Sequence, residues 1–166
     1  MRVLVTGASG SDTSTLGRAV AARCKCAFFD AEDYYWLPTL PPFRQKRQRT
    51  VRLALLLGVL NGAPSAVLGG SIIDWGAELE DSFNLIVSLA FPAVVRLDRL
   101  KAREHSADPA FLDWAAKYDD GGPEARSRLR HERWLSARAC PVLRLDGDLS
   151  VEEGAARVLA ALVTKT

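Results

Sequence analysis

Cysteine and histidine are scarce in this chain, and its apolar runs are short. The three cysteines, Cys24, Cys26 and Cys140, are an odd number, and two of them are spaced C-x-C. This spacing predicts neither a disulfide scaffold nor a zinc site, so we expect a reduced, cytoplasmic environment. The apolar segments 53–60 and 85–91 fall well short of the roughly 20 residues that span a bilayer, so no membrane partner is expected.

The charge of the chain is nearly balanced. It has 22 basic and 20 acidic residues, for a net charge of +2. This balance argues against a strongly basic binder of duplex DNA and against an acidic disordered tail, so no nucleic-acid partner is expected. With 166 residues, 48% of them apolar, the chain is predicted to form one domain spanning 1–166.

Short apolar segments alternate with longer amphipathic ones along the chain. The strands are predicted at Arg2–Thr6, Ala27–Asp30, Ser65–Gly69, Phe83–Leu89 and Pro141–Asp146. The helices are predicted at Thr13–Arg23, Arg44–Asn61, Pro92–Glu104, Pro109–Tyr118, Glu124–Ala137 and Ser150–Val163. Pro92 suits a first helical position, and Ser150 with Glu153 forms a capping box. The pattern predicts an α/β fold with an open, doubly wound, five-stranded parallel sheet and a small helical lid at about 105–125.

A glycine-rich turn, GASGSDTST, joins the first predicted strand to the first predicted helix. In this setting backbone N–H groups and a helix N-terminus bind phosphate. The P-loop pattern G-x-x-x-x-G-K-[ST] aligns Gly7 with its first glycine and Ser14 with its metal-binding hydroxyl. It finds Asp12 and Thr13 where its second glycine and its lysine belong. The dinucleotide pattern matches Gly7 and Gly10 but finds Thr13 at its third glycine.

Three further motifs follow in a fixed order: FDAEDYY at 29–35, RLKAR at 99–103, and KYDD at 117–120 with RSRL at 126–129. Together with the turn, they make the chain resemble the small P-loop kinases, which include adenylate and other nucleoside monophosphate kinases, shikimate kinases, gluconate kinases and uridine kinases. The resemblance implies an ATP-dependent phosphotransferase with ATP and Mg²⁺ as cofactors. Its acceptor would be a nucleotide or a small hydroxylated metabolite.

The resemblance also implies roles for individual residues. The nucleotide-binding set is Gly7, Ser9, Gly10, Ser11, Asp12, Thr13, Ser14, Thr15 and Arg99. The catalytic set is Asp33, Arg99, Arg103 and Arg126. The acceptor-binding set is Asp30, Asp33, Tyr35, Arg44, Arg47 and Gly70, and the metal-binding set is Ser14 and Asp30. Cations that neutralise phosphoryl charge and a carboxylate that accepts a hydroxyl proton are the groups this chemistry needs.

Two positional expectations accompany these roles. Arg99 and Arg103 are four residues apart and should share one helix face. Arg126, Arg130 and Arg133 should form a second basic stripe. The two histidines, at 105 and 131, are expected on the surface of the lid.

The lysine of the P-loop pattern is absent, which leaves the activity open. Losing one donor aimed at developing charge typically costs about 3–4 kcal/mol. A carboxylate about 5 Å from a phosphate charge is repelled by roughly 3 kcal/mol at an effective dielectric of 20, and Asp12 carries such a group. A nucleotide-binding protein of the same fold with little catalysis is therefore a second hypothesis. An NAD(P)-binding protein similar to the short-chain dehydrogenases is a third.

Overall fold

A computed structural model describes residues 1–102, 108–122, 124–147 and 149–163. Its strands are β1 (Arg2–Gly7), β2 (Ala27–Asp30), β3 (Ala66–Gly69), β4 (Leu85–Ala90) and β5 (Val142–Asp146). They form one five-stranded sheet in the order β2-β3-β1-β4-β5, and every neighbouring pair is parallel. The predicted α/β fold with an open parallel sheet is confirmed.

Helices connect the strands and continue beyond the last one. They are α1 (Thr13–Cys24), α2 (Ala31–Tyr35), α3 (Arg49–Gly62), α4 (Ala77–Glu80), α5 (Ala93–Lys101), α6 (Pro109–Ala116), α7 (Arg128–Ser136) and α8 (Val151–Val163). The two shortest, α2 and α4, were not predicted from the sequence. None of the helices in the described part of the chain is long and apolar enough to cross a membrane.

The position of β1 in the sheet separates two of the hypotheses. Val3 of β1 lies opposite Val67 of β3 on one side and Leu85 of β4 on the other. The dinucleotide-binding fold has the order 3-2-1-4-5-6, in which the first strand pairs with the second. The interpretation as a short-chain dehydrogenase is therefore wrong, because β1 here pairs with β3.

The core lies on both faces of the sheet. Leu4 belongs to the apolar cluster that contains Leu56 and Leu60 of α3. Val3 and Val5, which point the other way, belong to the cluster formed with α1 and α8. This arrangement confirms the doubly wound architecture, and it gathers the loops that follow β1, β2 and β3 at the carboxyl edge of the sheet, where open α/β sheets bind ligands.

The predicted starts of two helices are wrong. α3 begins at Arg49 and not at Arg44, because residues 45–47 are extended and bond to residues 35–37. In this pairing Leu37 N–H donates to the Gln45 carbonyl at 2.8 Å, and Arg47 N–H donates to the Tyr35 carbonyl at 2.7 Å.

α7 begins at Arg128 and not at Glu124, because Ser127 caps it. The Ser127 hydroxyl accepts a hydrogen bond from the Arg130 N–H at 3.2 Å. Arg126 therefore precedes the helix, and the expected stripe with Arg130 and Arg133 does not form on one helix.

Among the other predicted helix ends, the start of α5 is wrong by one residue and the capping box before α8 is correct. Pro92 is the N-cap of α5 and not its first residue. α5 ends at Lys101, and the predicted end at Glu104 lies outside the described residues. The capping box before α8 is confirmed, since Glu153 N–H donates to the Ser150 hydroxyl at 3.2 Å and Ser150 N–H donates to the Glu153 carboxylate at 3.0 Å.

Candidate active site

The turn between β1 and α1 offers donors to an anion. The N–H groups of Thr13, Ser14 and Thr15 lie in the first turn of α1, where a helix has no acceptors of its own and carries a positive partial charge. The side chain of Ser11 is 1% exposed, and its hydroxyl has no hydrogen-bond partner among the described residues. A buried hydroxyl without a partner costs free energy, so an oxygen-rich ligand at this turn fits the structure.

The backbone of this turn fixes two of its residue types. Gly10 has a φ of +84°, and a Cβ atom there would lie 2.4 Å from the Arg96 carbonyl oxygen. Asp12, which replaces a glycine of the P-loop pattern, also adopts the left-handed region, with a φ of 55°. Glycine adopts that region without strain, whereas aspartate does so at a cost of about 1 kcal/mol.

The Asp12 carboxylate forms an ion pair with Arg99 of α5. The two groups are 3.2 Å apart, and the Arg99 guanidinium also stacks on the Phe91 ring at 4.4 Å from its centroid. Because a cation already faces the carboxylate, its repulsion of a bound phosphate is weaker than that of an isolated charge. Arg99 and Asp12 line a cleft of about 50 Å³ together with Ser11 and Gly147.

A buried arginine that the sequence analysis missed, Arg96, connects the turn to α6. Its side chain is 1% exposed. The guanidinium donates to the carbonyl oxygens of Ser9 at 3.3 Å and Ala115 at 3.4 Å, and it forms an ion pair of 2.8 Å with Asp119. Nothing in the local sequence distinguishes Arg96 from the exposed cations around it, since its partners lie far along the chain.

The acidic segment that begins at the last residue of β2 contacts the turn through Asp30. The Ser14 hydroxyl donates to one Asp30 carboxylate oxygen at 2.5 Å, while the other Asp30 oxygen accepts the Glu32 N–H at 3.1 Å and caps α2. Burial raises the pKa of Asp33 above its usual value; the nearby charge of Asp30 raises it further, and Arg18 opposes the shift. A carboxylate whose pKa is raised is a stronger base once it is ionised.

Three of the predicted acceptor-binding residues, Arg44, Arg47 and Tyr35, differ in their exposure and in their contacts. Arg47 lies beside α2, but its guanidinium is occupied by the carbonyl oxygens of Tyr34 at 3.1 Å and Trp36 at 3.3 Å. Arg44 is exposed in the extended segment before α3. Tyr35 faces inward, with its ring stacked on the Trp75 ring at a centroid distance of 6.1 Å.

Gly70 lies where β3 ends, next to the start of α2. Its φ is +113°, and a Cβ atom there would approach the Ala31 Cβ to 2.9 Å. Its N–H donates to the Val5 carbonyl at 2.9 Å. The residue must therefore be glycine for β3 and α2 to approach this closely.

Of the remaining predicted cations, Arg126 lies near the turn. Its guanidinium is 5.6 Å from the centroid of the Trp114 ring, and both residues border a narrow gap that Ser9 and Tyr118 complete. Arg103 lies outside the described residues, so the predicted pairing of its helix face with Arg99 stays a prediction.

His131 is buried, so the expectation that it lies on the surface is wrong. The residue is 5% exposed; its Nδ1 atom is 2.7 Å from the Tyr118 hydroxyl and its Nε2 atom is 3.5 Å from the Thr6 hydroxyl. Burial, helped by the charge of Arg126, lowers the pKa of His131 to about 4. The ring is therefore neutral at physiological pH and links β1 to α7.

One curated relative is similar to this chain over most of its length. The chain is 38% identical over 169 aligned positions to the uncharacterized protein YqaC of Bacillus subtilis (strain 168), with 93% of each chain covered. No protein-family profile matches the sequence.

Solved structures with low sequence identity share the fold. A shikimate kinase from Acinetobacter baumannii in complex with shikimate superposes with a TM-score of 0.68 at 15% identity, covering 99% of this chain and 94% of that one. A deoxyadenosine kinase from M. mycoides superposes with a TM-score of 0.65 at 12% identity, covering 99% of this chain and 100% of that one. A gluconokinase from Sinorhizobium meliloti 1021 superposes with a TM-score of 0.59 at 18% identity, covering 99% of this chain and 97% of that one. These likenesses show that the fold is that of the small P-loop kinases.

Proposed function

The chain belongs to the family of the Bacillus subtilis protein YqaC, and we propose that it is an ATP-dependent phosphotransferase acting on a nucleotide or a small hydroxylated metabolite. The observation that carries the proposal is the 2.5 Å hydrogen bond between Ser14 and Asp30. It joins the anion-binding turn after β1 to the acidic segment after β2. Phosphoryl transfer depends mainly on holding donor and acceptor next to each other in the right geometry, and this contact supports such an arrangement.

In this proposal the turn from Gly7 to Thr15 holds the phosphates of ATP. The donors are the N–H groups at the start of α1 and the hydroxyl of Ser11, and the cleft beside Gly147 receives the rest of the nucleotide. Arg99 and Arg126 supply positive charge in place of the lysine that Thr13 replaces. Cations aimed at the phosphoryl oxygens lower the barrier by stabilising the charge that develops there.

Ser14 and Asp30 fit the magnesium ion that accompanies ATP. Among the described residues, no group of three or more His, Cys, Asp or Glu side chains could hold a metal alone. Magnesium bound with a nucleotide needs only one or two protein oxygens, since phosphates and water complete its shell, and it neutralises phosphate charge. The hydroxyl of Ser14 and the carboxylate of Asp30 are such a pair of oxygens.

Asp33 is the proposed general base, which takes the proton of the acceptor hydroxyl. It lies on α2, three residues after Asp30, and its raised pKa suits proton transfer. Tyr35 and the main chain at Gly70 border the proposed acceptor region. Arg44 and Arg47 lie in the segment that runs alongside α2.

Binding and turnover test the proposal separately. A thermal-shift series with ATP, ADP, AMP and NAD, each with and without magnesium, should show the largest stabilisation with ATP or ADP, because a ligand at 100 times its Kd adds about 2.7 kcal/mol. ADP release should then depend on an added acceptor. Ser14→Ala should abolish the effect of magnesium on ATP binding. Stabilisation by NAD alone, or ADP release that no acceptor changes, would contradict the proposal.

A nucleotide-binding protein without turnover is the second candidate. Asp12 and Thr13 favour it, because one adds negative charge to the turn and the other removes the P-loop cation. Stabilisation by ATP with no ADP formed from any acceptor would favour this candidate over the first.

A further inference from the structure

Trp114 is a partly exposed aromatic residue of α6 that lies beside the turn after β1. It is 43% exposed, although tryptophan is usually well buried. Its ring stacks on the Phe111 ring at a centroid distance of 5.6 Å, with 30° between the two planes. The guanidinium carbon of Arg126 lies 5.6 Å from the centroid of the same indole ring. Trp114 therefore makes its contacts at the surface, and it belongs to neither apolar cluster of the described core.

A buried hydrogen-bond bridge fixes α6 against the turn. The Arg96 guanidinium donates to the Ser9 carbonyl at 3.3 Å and to the Ala115 carbonyl at 3.4 Å, and Ala115 is 2% exposed. Because Ala115 directly follows Trp114 in the chain, the indole is held near the turn as well. Ser9, Trp114 and Arg126 accordingly border the same narrow gap.

The structure places Arg96, Arg99 and Arg126 beside the turn, and the first two are already paired. Arg96 pairs with Asp119 at 2.8 Å, and Arg99 pairs with Asp12 at 3.2 Å. Arg126 is half-buried, and it forms neither a hydrogen bond nor an ion pair with any residue that the structure describes. A half-buried guanidinium with open N–H donors attracts an anion.

Two neighbours of Arg126 are electrically neutral at physiological pH. Burial raises the pKa of Tyr118 to about 12, and burial together with the charge of Arg126 lowers the pKa of His131 to about 4. The carboxylate of Glu132, which acts on both groups, binds Arg144 through its two oxygens at 2.8 and 2.7 Å. Tyr118 and His131 therefore leave the positive charge of Arg126 uncompensated.

We propose that Trp114 is a positioning residue that holds Arg126 toward the turn, so that this arginine supplies the cation that the turn itself lacks. Thr13 stands where the P-loop pattern has lysine, so this charge must come from elsewhere in the fold. The inference rests on the proposed phosphotransferase function. An arginine already stacked on a ring loses less conformational entropy when it binds phosphate, and stacking leaves its N–H fork available.

Binding of inorganic tripolyphosphate tests the assignment without requiring turnover. This probe carries the charge of the ATP phosphates without base or sugar, and adenosine is the complementary probe without phosphate. Calorimetric titration of Trp114→Leu should give a Kd for tripolyphosphate about 3- to 10-fold higher than in the unaltered protein, because a cation–π contact is lost. The Kd for adenosine should not change. Trp114→Phe retains an aromatic face and should recover most of the affinity, whereas leucine would fill a purely hydrophobic role equally well.

A double-mutant cycle shows whether Trp114 acts through Arg126. Arg126→Gln should weaken tripolyphosphate binding about 10- to 100-fold, since it removes a charged donor. Adding Trp114→Leu to Arg126→Gln should cause no further loss, because the ring then has no cation to hold. Phe43→Leu is the matched control. Phe43 is 46% exposed and also contacts an aromatic ring, that of Trp36, and its substitution should change neither Kd.

Three outcomes would overturn the assignment: no binding of tripolyphosphate by the unaltered protein, an unchanged Kd in Trp114→Leu, or an equal loss from Trp114→Leu with and without Arg126. Tripolyphosphate binding that depends on Trp114 through Arg126, without ADP formation from any acceptor, would contradict the phosphotransferase proposal and still support the role of Trp114. Acceptor-dependent ADP formation that is unchanged in Trp114→Leu, with an unchanged Kd, would support phosphotransfer and contradict the role of Trp114.

Discussion

The guanidinium of Arg96 and the carboxylate of Asp119 form an ion pair of 2.8 Å in which the arginine side chain is 1% exposed and the aspartate side chain is 34% exposed. The same guanidinium donates to the Ser9 carbonyl, within the turn proposed to bind phosphate. The Arg96 side chain thus contacts both the turn and the segment after α6, and it fixes their relative positions. A change at either end should therefore be transmitted to the other.

Loss of the Asp119 charge should destabilise the protein and weaken ATP binding together. Asp119→Asn leaves a buried guanidinium without its counterion, which should lower the free energy of unfolding by about 2 kcal/mol, since a fully buried pair costs about 3–5 kcal/mol to break. Because Arg96 also fixes Ser9, ATP affinity should fall severalfold. Urea denaturation and calorimetric titration measure the two effects. Asp113→Asn, which removes an exposed ion pair of 3.2 Å with Lys117, is the matched control and should change neither.

The fold could be predicted because its signals are local. Each strand is a short apolar run, and β1 is followed by a turn whose glycines have steric reasons to be there. The start of α3 was missed because the cations of 44–48 suit a helix as well as a strand, and only pairing with residues 35–37 makes them extended. α2 has five residues and therefore no apolar periodicity to detect.

The candidate site could be predicted only where its residues belong to local motifs. Ser14 and Asp30 could be named because Ser14 belongs to the turn motif after β1 and Asp30 ends β2, although their 2.5 Å contact could not. Arg96 and His131 were missed because both lie in strongly charged helices, where a polar residue is expected to face solvent. Their burial depends on partners 23 and 125 residues away along the chain, Asp119 and Thr6 respectively.

Replacing Asp12 with glycine should tighten ATP binding. The substitution removes a negative charge from the proposed phosphate-binding turn and relieves the left-handed backbone conformation, whose φ is 55°. The lost ion pair with Arg99 is partly exposed and should matter less, at about 0–1 kcal/mol. Calorimetric titration with ATP should show at least a tenfold lower Kd, and Asp12→Gly combined with Thr13→Lys should lower it further.

Asp74→Gly is the matched control for this change. Asp74 also has a left-handed backbone, with a φ of 62°, and it also pairs with an arginine, Arg130. Its substitution should alter stability by a similar amount but leave the Kd for ATP unchanged. An equal effect of both variants on ATP would mean that Asp12 acts through the stability of the fold and not through its charge in the turn.

The pH dependence of phosphotransfer should report the ionisation of Asp33. Burial and the charge of Asp30 raise the pKa of its carboxyl, so the active, ionised form is lost at a higher pH than for an ordinary aspartate as the pH falls. Asp33→Asn should lower kcat by at least 100-fold, within the range of about 10²–10⁴ typical of general bases, and remove the acidic limb. Arg18 lowers this pKa, so Arg18→Met should move the limb to higher pH. A limb that does not move in Arg18→Met, or that persists in Asp33→Asn, would exclude Asp33 as the base.

Protonation of His131 should set the acid stability of the protein. Burial lowers its pKa from 6.5 to about 4 in the folded state, so between these two values the unfolded chain binds the additional proton. The free energy of unfolding is therefore unaffected above pH 6.5 and should fall by about 3 kcal/mol as the pH decreases to 4, because one pKa unit corresponds to about 1.4 kcal/mol. His131→Gln keeps a polar side chain beside Tyr118 and Thr6 but cannot titrate, so its unfolding free energy in urea should change less over this interval. Identical slopes for the two proteins would show that other groups cause the loss of stability in acid.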